Sequence, residues 1–113
     1  MDNATINIVN TIGDVYGVEA EDGQKVFELI IRSFTKKKKV TLSFRNIEIL
    51  TTAFLNTAVG QLYKDFPEEY IKDNLRVADI SESGKVALKR VVDTAKLYYK
   101  DPEALKRSIE EII

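Results

Sequence analysis

Val40-Thr41-Leu42-Ser43-Phe44-Arg45-Asn46-Ile47-Glu48-Ile49-Leu50-Thr51-Thr52-Ala53-Phe54-Leu55 is the stretch that decides how this chain is read. Val40, Leu42 and Phe44 alternate with Thr41 and Ser43, the two-residue period of a strand with one face toward a core. A turn then delivers Thr51 and Thr52 to the start of an amphipathic helix that carries Leu55, Ala58, Val59, Leu62 and Phe66 along one side. A helix start presents unpaired backbone N–H groups and a partial positive charge, so it accepts a hydroxyl cap or an anion equally well. Two readings of Thr51 and Thr52 therefore stand open, plain helix caps or a phosphorylation switch.

On the N-terminal side, Ile6, Ile8 and the run from Val9 to Ile12 predict a first strand, with Gly13-Asp14 as its turn. Val15 to Val18 reads as a second strand, antiparallel to the first because the connection is so short. Asp22 is the expected cap of a helix whose stripe is Val26, Phe27, Ile30, Ile31 and Phe34, and Lys36 to Lys39 suit its negative end. On the C-terminal side, Pro67 ends the second helix and opens a short one reaching Lys72. Leu75 to Ile80 is the last strand. Ser81 or Ser83 then caps a long helix with Leu88, Val91, Val92, Ala95, Tyr98 and Tyr99 on its stripe. Asp101-Pro102 restarts the chain into a final helix burying Leu105, Ile109 and Ile112. Strands alternating with helices predict an α/β sandwich, a mixed four-stranded sheet covered by helices, with extra C-terminal helices.

Composition narrows the chemistry. The 113 residues, 44% of them hydrophobic, suffice for one domain over 1–113. Seventeen basic and 18 acidic residues leave a net charge of −1, so no global field recruits nucleic acid or an acidic membrane. There is no cysteine and no histidine, which removes thiol nucleophiles, the commonest general base and the commonest metal ligands. No cofactor, metal site or catalytic residue is expected. The start of the chain does not read as a signal peptide, and no apolar run approaches the roughly 20 residues of a membrane helix, so a soluble, cytoplasmic domain is expected. Lys36 to Lys39 lack interleaved aromatic residues and read as a solvated turn, and the five glycines form no phosphate-binding array. Gly60 inside a helix costs about 1 kcal/mol of propensity and points to close packing.

These residues also resemble a family. Val40 to Phe44 with Ile47, Thr51 to Asn56, Val59 to Tyr63 and Leu75 to Val77 are similar to the STAS-like domains of unknown function. These are small bacterial and phage-encoded relatives of the anti-sigma factor antagonists, and the segment from Glu21 to Phe34 fits the family's first helix. The likeness covers a core of about residues 5–92, leaving 93–113 as a C-terminal helical extension.

In the antagonists the corresponding turn reads Asp-Ser-Ser-Gly, and its second serine is phosphorylated by a partner kinase that doubles as an anti-sigma factor. Aligned there, Thr51 and Thr52 take the serine positions, Ala53 the glycine and Leu50 the aspartate. The resemblance thus implies a non-catalytic regulatory protein-interaction domain, with Thr52 and then Thr51 as candidate phosphoacceptors. Asn46, Thr51, Thr52 and Asn56 are the candidate partner-binding residues, and a GHKL-type ATP-binding kinase or anti-sigma factor is the implied partner. A phosphate on Thr52 would add nearly two negative charges and repel an acidic partner surface. The alternative reading is an assembly module that forms a homodimer through its C-terminal helices, with both threonines acting only as caps.

Overall fold

The computed structural model describes residues 2–100 and builds two separate parallel ladders beneath a layer of helices. Strands β1 (Asn3–Asn7), β3 (Lys39–Ser43) and β5 (Leu75–Ala78) form a three-stranded sheet with β3 in the middle. Strands β2 (Tyr16–Gly17) and β4 (Ile49–Leu50) form a short ladder of their own. The expected mixed four-stranded sheet is therefore corrected to three parallel strands plus two. The α/β class stands.

The correction has a local cause at the N-terminus. Asn7 Oδ1 accepts the Asn10 N–H at 2.9 Å and the Asn7 carbonyl accepts the Thr11 hydroxyl at 2.8 Å. Gly13, at φ 73°, closes the turn by donating its N–H to the Val9 carbonyl. Residues Ile8–Ile12 are thus a capped helix, α1, despite their β-branched side chains. Because Gly13 ends a helix, it makes no hairpin, and the segment after it pairs with β4 in parallel rather than with β1.

The register of the larger sheet sorts its faces. Ala4, Val40 and Leu75 align across one row, and Ile6, Leu42 and Val77 across another, all on the face that meets the helices. The opposite face carries Thr5, Thr41 and Arg76, with Thr5 and Arg76 exposed. Helix α2 (Ala20–Thr35) lays Val26, Ile30 and Phe34 on the apolar face. It begins two residues before the expected Asp22 cap. Glu19 stands at the N-cap without a side-chain bond, and Asp22 pairs with Lys25 at 3.3 Å in the first turn.

The helical segment over residues 52–65 is not one continuous α-helix. It runs as α3 (Thr52–Leu55), a π-helical turn (Asn56–Gly60) and α4 (Leu62–Asp65). Phe54, Leu55, Ala58 and Leu62 are completely buried beneath it. The π turn lets Gly60 approach the last helix. A side chain at Gly60 would meet Val91 Cγ1 at 3.3 Å and Asn56 Oδ1 at 3.4 Å. Phe66 then adopts extended backbone before Pro67, which caps α5 (Glu68–Asn74). Phe34, Phe66 and Tyr70 close that end of the core with ring centroids 5.2–5.5 Å apart.

The last helix, α6 (Glu82–Lys100), starts where Ser81 Oγ accepts the Gly84 N–H at 3.0 Å. Its buried residues are Gly84, Val91 and Ala95, whereas Tyr98 of the expected stripe is exposed. The expected terminal helix with Leu105, Ile109 and Ile112 lies outside the described residues. Among those described, no helix is long and apolar enough to cross a membrane.

The tightest helix crossing sets a first test. A Cβ on Gly23 would stand 2.5 Å from the Phe54 carbonyl and 3.2 Å from the Ala58 amide, both backbone atoms that cannot swing away. Gly23→Ala should therefore cost about 1–3 kcal/mol despite its better helix propensity, seen as a lower midpoint in urea unfolding. An unchanged midpoint would mean that α2 and the π turn are not in this contact.

Candidate functional site

Strand β3 ends at Ser43, whose hydroxyl donates to Asp79 Oδ2 at 3.1 Å, and the chain turns sharply through Phe44 to Ile47. Asn46 sits at the turn with φ 66°, a left-handed conformation that asparagine tolerates better than most residues. Strand β4 then brings the chain alongside β2 and delivers Thr51.

Thr51 is fastened on every side. Its hydroxyl donates to the Val18 carbonyl at 2.8 Å and accepts the Phe54 N–H at 3.1 Å. Its amide donates to the Gly17 carbonyl and its carbonyl accepts the Leu55 N–H. The side chain is the helix N-cap in the usual extended conformation (φ −115°, ψ 158°). Thr52, the first helical residue, is exposed, and among the described residues its hydroxyl makes no hydrogen bond. Adjacent hydroxyls thus have different environments, one occupied as donor and acceptor, the other open to solvent.

Thr52 and Asn56, four residues apart, face the same way and are both exposed. Asn56 continues into a hollow of about 170 Å³ shared with Gln61, Thr94 and Tyr98. The structure therefore brings Thr51, Thr52 and Asn56 together. Asn46 stays apart in the turn between β3 and β4, where its backbone conformation accounts for it.

Beside this helix start lies a feature that the sequence reading did not single out. Tyr16 and Ile49 are register partners on the short ladder, 45% and 51% exposed, and form an apolar step facing solvent. Their chain neighbours Gly17 and Leu50 turn inward, with Leu50 and Phe54 touching the place a Gly17 Cβ would fill. Three exposed acids, Asp14, Glu19 and Glu48, lie close to it in the chain. Asp14 Oδ1 accepts the Tyr16 N–H, Glu48 donates its N–H to the Val15 carbonyl, and Glu19 follows the Val18 held by Thr51. The alternation Tyr16-Gly17-Val18 was the available signal, but two-residue strands give too short a period to reveal which side faces out.

On another side of the molecule, α4, α5, β5 and α6 enclose an open groove of about 490 Å³ lined by Val59, Tyr63, Ile71, Leu75, Val77 and Val92. Burial holds the Tyr63 phenol above its ordinary value, and the charges of Glu68 and Asp93 add in the same direction. The neutral phenol is favoured in the fold. Its contribution is complete below the unfolded value near pH ~10 and is lost as pH rises through the higher folded value.

The site thus combines a hydroxyl-capped helix start with an exposed apolar step on the adjoining two-stranded ladder. The chain belongs to the family described as the STAS-like domain of unknown function, whose model matches residues 22–85, from α2 into the first turn of α6. The match contains β3, β4, both threonines and β5. No curated protein and no solved structure matches the chain.

Two tests separate the roles in the site. Thr51→Ala removes the cap and strands the Val18 carbonyl, and should cost about 1–2 kcal/mol in denaturant unfolding, whereas Thr52→Ala should stay within about 0.5 kcal/mol of the parent. Equal losses would show that the two hydroxyls are not differently engaged. In an alkaline absorbance titration the Tyr63 phenol should ionise above the ordinary tyrosine value as a late phase, and Tyr63→Phe should remove that phase. A late phase that survives the substitution would contradict the environment described for Tyr63.

Proposed function

We propose that this chain is a regulatory protein-interaction domain with no catalysis of its own, docking a protein partner through Thr52, Asn56 and the Tyr16–Ile49 step. The observation that carries the reading is the unequal pair at the helix start. Thr51 supplies the structural cap, which leaves Thr52 with an exposed and unoccupied hydroxyl at the position where the family resemblance expects a phosphoacceptor.

The partner in this reading is an ATP-binding kinase resembling the GHKL type, which also serves as the regulated factor. The Thr52 oxygen attacks the γ-phosphorus of ATP held by that partner. A new O–P bond forms, the bond to the bridging oxygen breaks, ADP leaves, and the hydroxyl proton passes to a base of the kinase. The domain contributes position rather than acid–base chemistry. The product phosphate lies at the positive start of a helix, so it disturbs the fold little. It also faces the partner's nucleotide site, where the phosphates of ADP repel it, and docking weakens. Around that centre the acids Glu19 and Glu48 suit basic residues on the partner, and the apolar step supplies dry contact area.

Capture of bound protein from the source cell, on wild-type, Thr52→Ala, Thr52→Glu and Glu48→Lys baits, tests this directly. The wild-type and Thr52→Ala baits should retain one ATP-binding protein. Thr52→Glu and Glu48→Lys should lose most of it, a tenfold or greater fall in affinity corresponding to about 1.4 kcal/mol. Equal recovery on all four baits would refute the docking surface, and recovery lost only with Glu48→Lys would refute the switch at Thr52.

A further inference from the structure

The solvent face of α6 carries a pattern that neither the fold nor the docking surface uses. Val86 and Leu97 are 59% and 50% exposed, and Arg90 and Asp93 lie between them, also exposed. The spacing of four, three and four residues puts all of them on one stripe. That stripe lies directly opposite the buried residues Gly84, Val91 and Ala95. Two large apolar side chains thus stand about 16 Å apart along a helix, with one cation and one anion between them.

The order apolar, positive, negative, apolar is complementary to its own reverse. When a second identical helix is laid antiparallel, with a two-fold axis at the level of residues 91 and 92, Val86 meets Leu97 of the second copy. Arg90 then meets Asp93 of the second copy, and both contacts repeat across the axis. Farther out the same operation brings Lys100 near Glu82 of the second copy, again with opposite charges. A self-complementary patch of this kind is what a closed two-fold interface requires. A parallel arrangement would instead oppose Arg90 to Arg90 and Asp93 to Asp93.

We propose that α6 is a homodimer interface, in which two copies pair antiparallel through Val86, Arg90, Asp93 and Leu97. The inference does not depend on the reading of Thr52. The charges are free to serve it. Among the described residues Arg90 forms no ion pair, and the Asp93 carboxylate uses only Oδ2 on Lys89, at 2.8 Å, leaving its second oxygen for a guanidinium. A single helix pair falls short of the roughly 1,000 Å² of a standard stable interface, so the dimer is weak and its population rises with concentration.

Sedimentation of the full chain over a range of concentrations, with charge-swapped variants, tests the pairing. Arg90→Asp and Asp93→Arg, each alone, place like charges opposite one another twice and should raise the dissociation constant about tenfold or more. An equimolar mixture of the two variants should form a heterodimer, and the double variant R90D/D93R should regain the homodimer. Circular dichroism confirms that each variant is folded. The proposal is overturned by a wild-type chain that stays monomeric at every concentration, the result expected if residues 101–113 or another protein cover this face. It is overturned equally by a dimer that the single swaps leave intact, or by swaps that neither mixing nor the double variant rescues.

Discussion

The hydroxyl of Thr51, held between the Val18 carbonyl and the Phe54 N–H, is the contact on which the arrangement of this domain turns. One side chain joins the short β2–β4 ladder to the beginning of the helical segment that covers the larger sheet. The backbone of the same residue adds two further bonds, to Gly17 and from Leu55. Ladders of two residues have little stability of their own. This one persists because its end is bonded into a helix start and its inner face, Gly17 and Leu50, packs on the fully buried Phe54.

That constraint also divides the labour at the helix start. With the first hydroxyl committed to structure, the second is left outward on a rigid element, and its neighbours are surface residues rather than core. A covalent change at Thr52 would alter what a partner meets without unfastening the helix. A change at Thr51 would do the reverse. The exposed acids Asp14, Glu19 and Glu48 flank these two strands in the chain, with Asp14 bonded to the Tyr16 N–H and the Glu48 N–H bonded to the Val15 carbonyl.

Much of this was legible in the order of the residues, and the failures have physical reasons. The alternation Val40, Leu42, Phe44, the stripe of α2, the break at Pro67 and the cap at Ser81 are each local signals that the packing reinforces. The residues of α1 misled because Ile8, Val9 and Ile12 favour strands, while the caps at Asn7 and Gly13 are specific and outweigh that preference. In the sequence Gly23 simply follows the expected Asp22 cap. The reason it is glycine, a backbone approach by Phe54 and Ala58, arises from a chain segment 31 to 35 residues away and leaves no local trace. The same holds for Tyr16 and Ile49, whose exposure follows from a long-range pairing.

The proposed docking residues Tyr16, Ile49, Thr52 and Asn56 and the proposed dimer residues Val86, Arg90, Asp93 and Leu97 are different side chains, although the hollow beside Asn56 is also lined by Thr94 and Tyr98 of α6. The most direct test of the central claim is site-resolved mapping of phosphate on the chain isolated from its own cells, with partner-bound and free fractions measured separately. Phosphate is expected on Thr52 and none on Thr51, with the phosphorylated form confined to the free fraction. Phosphate on Thr51, equal phosphate in both fractions, or no phosphate at either threonine would contradict that claim.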